Sequence, residues 1–107
     1  MRNVKAGLIQ MSLKGDAEKD TPDQIRDKML AAHIPLIEQA GKQGVQVLCF
    51  QEVFTQPYFC PSQDKKWYRA AEKIPDGHTT KLMQEYAKKY NMVIVVPIYE
   101  EDITGVY

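Results

Sequence analysis

Apolar residues along the chain gather into three short runs, with two longer periodic stretches between them. The first run, Val4 to Met11, predicts a strand, and a polar loop holding Gly15 and Asp16 follows it. A helix start is predicted at Thr21. Thr21 can cap the helix, Pro22 suits its first position, and Gln24 stands where a capping box places its second member. Beyond that start, Ile25, Met29, Ala32, Leu36 and Ala40 recur at helical steps, which assigns them to one inward face. Pro35 removes a backbone hydrogen bond inside this helix and predicts a kink between Ala31 and Pro35. Gly41 or Gly44 is expected to end it.

The second run, Val45 to Phe50, is β-branched at its start and largely apolar on both alternating faces, the pattern of a strand buried on both sides. Gln51 and Glu52 close it. Thr55 to Ser62 is predicted to be a loop constrained by Pro57 and Pro61, Trp67 to Lys73 a short helix, and Pro75-Asp76-Gly77 a turn. The second long helix should begin near Thr79, turn Leu82, Met83, Tyr86, Ala87 and Tyr90 inward, and stop at a left-handed Asn91. Met92 to Tyr99 then reads as a third strand, with Pro97 marking an edge or a bulge because proline cannot donate to a ladder. No internal repeat, low-complexity tract or linker interrupts the order.

Strand, helix, strand, helix, strand is the pattern of an α/β protein with a largely parallel sheet and right-handed crossovers. Strands that are apolar on both faces need cover on both sides, and two crossover helices on one side leave the other face bare. The chain therefore reads as an incomplete domain over residues 1–107. Glu100 to Gly105 fits a hairpin turn, with Val106-Tyr107 opening a strand that does not continue, so a remainder or a partner is expected to supply the cover.

Composition narrows the classes of partner. With 44% hydrophobic and 26% charged residues the chain fits an ordinary soluble folded unit, or part of one. Fourteen basic and fourteen acidic residues cancel, so no electropositive surface for nucleic acid or anionic lipid is expected. The apolar runs Val47–Phe50 and Val93–Val96 fall far short of the roughly 20 residues that cross a bilayer. Residues 1–5 open no signal-peptide pattern, and a cytoplasmic location is the expectation. Cys49 and Cys60 lack the neighbours of a zinc site or a disulfide framework, so both read as reduced thiols, Cys49 as a small core hydrophobe. No metal is expected.

Glu52 is the candidate for chemistry. Ligands of open α/β sheets bind outside the carboxyl ends of the strands, and Glu52 falls just past the end of a strand expected to be central. Flanked by Phe50, Val53 and Phe54, its carboxylate would sit in a poorly solvated pocket suited to a general base. An ordinary strand-end carboxylate, capping a helix or pairing with a lysine, fits the same residue. Tyr58 and Phe59, in the loop between two prolines, could wall that crevice and limit water, or simply pack. His33 reads as a helix-surface or packing residue, His78 as a helix-start residue, and Glu100, at the end of the third strand, as a turn carboxylate that could also line the site.

The stretch Gln46-Val47-Leu48-Cys49-Phe50-Gln51-Glu52-Val53-Phe54, followed by Pro57-Tyr58-Phe59, resembles the glutamate motif of the nitrilase superfamily of carbon–nitrogen hydrolases. Val4 to Met11 resembles that family's first strand, and Ile74-Pro75-Asp76-Gly77 with Thr79-Thr80 resembles its turn into the second helix, so the likeness runs over essentially the whole chain. Gln51, where many members have proline, and Gln56-Pro57-Tyr58-Phe59-Cys60 are most similar to the β-ureidopropionase branch, which hydrolyses N-carbamoyl β-amino acids. The resemblance implies the N-terminal part of a four-layer α-β-β-α sandwich and a glutamate, cysteine and lysine as catalytic groups, the glutamate falling on Glu52. It also implies a small amide or N-carbamoyl substrate, no cofactor, and a homo-oligomer in the full-length protein; Tyr58 and Phe59, from their place in the proline-held loop, are the substrate-binding candidates. Neither cysteine has the acidic neighbour of the family's nucleophile, Tyr68-Arg69 is followed by Ala70 rather than lysine, and Lys65, Lys66, Lys88 and Lys89 read as solvated surface lysines. The alternatives are a nitrilase, an aliphatic amidase, or a non-catalytic α/β module that needs a partner.

Overall fold

The computed structural model describes all residues from Met1 to Tyr107. Local chemistry sets the helix ends. Helix α1 spans Pro22–Lys42, and its capping box is closed at both bonds. The Gln24 amide donates to Thr21 Oγ1 at 3.2 Å, and the Thr21 amide donates to Gln24 Oε1 at 2.9 Å. At the other end Gly44 adopts a left-handed φ of +78°, its amide donating to the Gly41 carbonyl while the Val45 amide reaches the Ala40 carbonyl. The helix continues without a break through Pro35, where a kink was expected. Helix α2, His78–Tyr90, starts at His78 as the sequence indicates and stops at Asn91, which is left-handed at φ 49° and ψ 50°.

The strands are shorter than their apolar runs: β1 is Ala6–Ile9, β2 Val47–Phe50 and β3 Val93–Val95. They form one parallel sheet in the order β1-β2-β3, which makes β2 central. β3 ends before Pro97, as the missing amide of that residue requires. The short helix expected over Trp67–Lys73 is a 3-10 helix two to three residues earlier, at Lys65–Ala70, with Asp64 accepting from the Lys66 amide at 2.9 Å. No helix is long and apolar enough to cross a membrane.

The register divides the side chains between two faces, because neighbours paired across parallel strands share a side. Gly7, Leu48 and Ile94 align, as do Ile9 and Phe50, and they face the helices. Ile9, Leu48 and Phe50 are buried there in one core with Leu30 and Ile37 of α1, Phe54, Met83 of α2 and Met92. Leu8, Cys49 and Val95 align on the opposite face, beside the row Ala6, Val47 and Val93. That face is open: Leu8 is 84% exposed and Val93 62%. Both crossover helices thus cover one side of the sheet.

Helix α1 turns a different stripe inward from the expected one. Ile25 and Met29 are buried, but Leu30, His33 and Ile37 complete the face, whereas Leu36 is exposed and Ala32 and Ala40 are half-buried. Ile25 and Met29 form a second small cluster with Trp67, so the first turns of α1 pack on the 3-10 segment and the later turns on the sheet. Near its end α1 lies against the ring of Tyr90. A Cβ on Gly41 would stand 2.3 Å from Tyr90 Cγ, so only glycine admits this approach of the two helices.

Candidate functional site

Glu52 lies in the turn that follows the central strand, at the carboxyl end of the sheet. Its neighbours behave as their apolar character dictates. Phe50 and Phe54 are buried with ring centroids 4.5 Å apart, and His33 of α1 meets both rings edge-on at 5.4 and 5.0 Å. Glu52 itself is exposed. The poorly solvated pocket expected around its carboxylate is not formed by residues 1–107, because one face of the sheet and the space beyond it are uncovered.

The turn is nonetheless held firmly. Val53, directly after Glu52, has a left-handed φ of +49°. A β-branched residue is disfavoured there, at a cost on the order of 1–3 kcal/mol that the surroundings must offset. Four bonds supply the restraint. The Met11 amide donates to Gln51 Oε1 at 2.6 Å, joining the turn to the chain beyond β1. The Phe54 amide donates to the Pro97 carbonyl at 3.3 Å, beyond β3, and the Gln56 amide to the Val53 carbonyl at 3.0 Å. Gln56 Nε2 donates to the Pro22 carbonyl at 2.9 Å, in the first turn of α1. Phe54, Thr55 and Gln56 are all buried, so this loop is part of the core.

Sequence reasoning treated His33 as a surface or packing residue; it is fully buried and packs. Its Nδ1 donates to the Met29 carbonyl at 2.8 Å, and Nε2 has no partner. Burial holds the imidazole below its ordinary pKa, with the Met29 bond acting in the opposite sense. The signal that would have found this buried histidine is its position four after Met29 and four before Ile37, in the apolar middle of the helix.

The other candidates separate in space. Tyr58 is 71% exposed, and the cavity of about 400 Å³ that it lines, with Phe59, Trp67 and Lys66 among its walls, does not include Glu52. Phe59 is half-buried, stacked on Trp67 at 5.6 Å and against Tyr99 at 5.0 Å. A second cavity, of about 540 Å³, lies under the turn and is lined by Val53, Phe59, Tyr99 and Glu100 among others. Burial pushes the Tyr99 phenol up, and neighbouring Tyr68, Tyr107 and Cys60 add to the shift. Lys66 is not a free surface lysine: its Nζ donates to the Ala17 carbonyl and lies 4.7 Å from the Trp67 ring centre. No group of three His, Cys, Asp or Glu side chains is arranged to hold a metal ion.

The profile described as Carbon-nitrogen hydrolase matches residues 5–107. The chain belongs to that family. Among carbon–nitrogen hydrolase relatives, a β-ureidopropionase of Arabidopsis thaliana is 45% identical over 96% of this chain and 26% of its own length. An N-carbamoylputrescine amidase of Arabidopsis thaliana is 32% identical over 79% of the chain and 28% of its own length. A nitrilase of Pyrococcus abyssi is 32% identical over 71% of the chain and 29% of its own length. The chain thus spans about a quarter to a third of the length of the curated relatives it matches. The α/β architecture with parallel strands agrees with the carbon–nitrogen hydrolase assignment.

Proposed function

We propose that residues 1–107 form the N-terminal part of a single amidohydrolase domain. It would hydrolyse a non-peptide C–N bond in a small N-carbamoyl amine or carboxamide, with Glu52 as general base. The observation that carries this reading is the 45% identity to a β-ureidopropionase over 96% of the chain. The position of Glu52 at the carboxyl end of the central strand, where α/β sheets receive ligands, supports it.

In this mechanism Glu52 takes the proton of a cysteine thiol contributed from outside residues 1–107. The thiolate attacks the carbonyl carbon while a lysine, also from outside, stabilises the oxyanion. Glu52 passes that proton to the departing nitrogen, so that ammonia leaves and a thioester remains; Glu52 then takes a proton from the attacking water and returns it to the cysteine sulfur as the acid or carbamate is released. Exposed as it is here, Glu52 needs a further layer to exclude solvent. The open face of the sheet supports the same requirement, since a second sheet packed on Leu8, Cys49 and Val95 would build the four-layer sandwich. Tyr58 and Phe59 are the proposed substrate-side residues, and a homo-oligomer in the cytoplasm is the proposed setting. The similarity to a nitrilase favours nitrile or simple amide hydrolysis as the second reading.

The test is ammonia release from N-carbamoyl-β-alanine by the full-length protein that carries this segment. Glu52→Gln is expected to lower turnover by about 10²-fold or more, with the far-ultraviolet circular dichroism and melting temperature unchanged. Retained turnover removes Glu52 from the mechanism; hydrolysis of a nitrile but not the carbamoyl compound selects the second reading.

A further inference from the structure

The turn around Glu52 combines two features that ordinary packing does not demand together. Its one unfavourable backbone conformation falls on Val53, the residue bonded to Glu52, and its hydrogen bonds reach three separate parts of the fold. Gln51 is tied to Met11, Phe54 to Pro97 and Gln56 to Pro22. The other left-handed residues apart from glycine, Gln63 and Asn91, are unbranched at Cβ and lie in exposed connections; a β-branched residue is the least suited to this conformation and rarely keeps it in a turn with only a connecting role. A left-handed residue rotates the preceding peptide plane and so sets the direction in which the side chain before it leaves the backbone.

We propose that Val53 is a positioning residue for Glu52: its left-handed conformation, held by the ties at Gln51, Phe54 and Gln56, aims the carboxylate at the reacting thiol. This rests on the reading of Glu52 as general base. The side chain matters as well as the angle: within the left-handed region that the ties impose it confines φ to a narrow range, which glycine would broaden. Phe50, Phe54 and His33 pack against one another on the helix side of the sheet, so the turn cannot yield in that direction.

The experiment compares Val53→Gly and Val53→Asn in the full-length protein, with N-carbamoyl-β-alanine as substrate. Glycine removes the steric penalty but frees the turn, so kcat should fall about tenfold or more while KM stays within about twofold and the melting temperature does not drop. Asparagine accepts the left-handed conformation and keeps a side chain, and should recover most of the kcat lost in Val53→Gly. In a Glu52→Gln background Val53→Gly should have no further effect on the residual rate, because the group it aims is gone. Wild-type kcat in Val53→Gly, an equal loss in Val53→Asn, or a loss that merely tracks the folded fraction overturns the proposal. Turnover retained by Glu52→Gln alone would instead overturn the reading of Glu52 on which it rests.

Discussion

His33 is a single residue whose burial makes the fold sensitive to acid. Its imidazole is enclosed by Phe50 and Phe54, with Nε2 unpartnered, and burial lowers its pKa in the folded chain. The unfolded chain takes up this proton once the pH falls below about 6.5, while the folded chain resists it to lower pH. Acid therefore favours the unfolded state, and stability should decline from pH 6.5 downward until the folded imidazole also protonates. Urea unfolding of the full-length protein between pH 7.5 and 5 measures this decline, and His33→Phe should flatten it. Identical slopes in the two proteins would exclude His33 as the source. Glu52 shows the complementary limit of residue-level reading. Its place after the central strand was legible because apolar runs and their order define strands. Its solvation was not, since that depends on what lies across from it.

The helices show which parts of an element the sequence specifies. Ends are local: Thr21, Pro22 and Gln24 act within a few residues of one another, as do Gly44 and Asn91, and each does what its chemistry indicates. Faces are not local. With Leu30, Ala31, Ala32, Ile34, Leu36 and Ile37 surrounding α1, several stripes satisfy a helical period, and the sheet and the 3-10 segment choose among them. The cap of α2 was not legible at all, because its acceptor precedes the turn. Glu72 receives the Thr79 amide on Oε1 at 2.8 Å and the Thr79 hydroxyl on Oε2 at 2.6 Å. A carboxylate at a helix N-terminus also meets the favourable end of its dipole. Glu72→Ala should destabilise the full-length protein by about 1–2 kcal/mol in chemical denaturation, and Thr79→Ser should cost less. A Glu72→Ala variant as stable as wild type would show that water replaces this cap without loss.

For the whole molecule the unequal faces of the sheet govern behaviour. The 107-residue chain by itself exposes Leu8, Val93 and Val95 in adjoining rows, an apolar surface of the kind that drives association. It should self-associate in sedimentation at micromolar concentration, and Leu8→Lys with Val95→Lys should reduce this. The same pair of changes should destabilise the full-length protein if that face is covered there. Association indifferent to the two lysines would place the sticky surface elsewhere. This consequence was readable from the strand pattern alone, since doubly apolar strands and two same-side helices leave one face over.

Parallel pairing has a further effect, on the route to this structure. No two of its strands are joined by a hairpin: β1 meets β2 only across α1, and β2 meets β3 only across the loop and α2. Each pairing closes a long loop before it returns any energy, so nucleation falls to the helices and their caps, and the sheet is assembled late. The three ties around Glu52 also join segments far apart along the chain, Gln51 to Met11, Gln56 to Pro22 and Phe54 to Pro97. The turn that presents the carboxylate must therefore be among the last parts of the molecule to take its final shape.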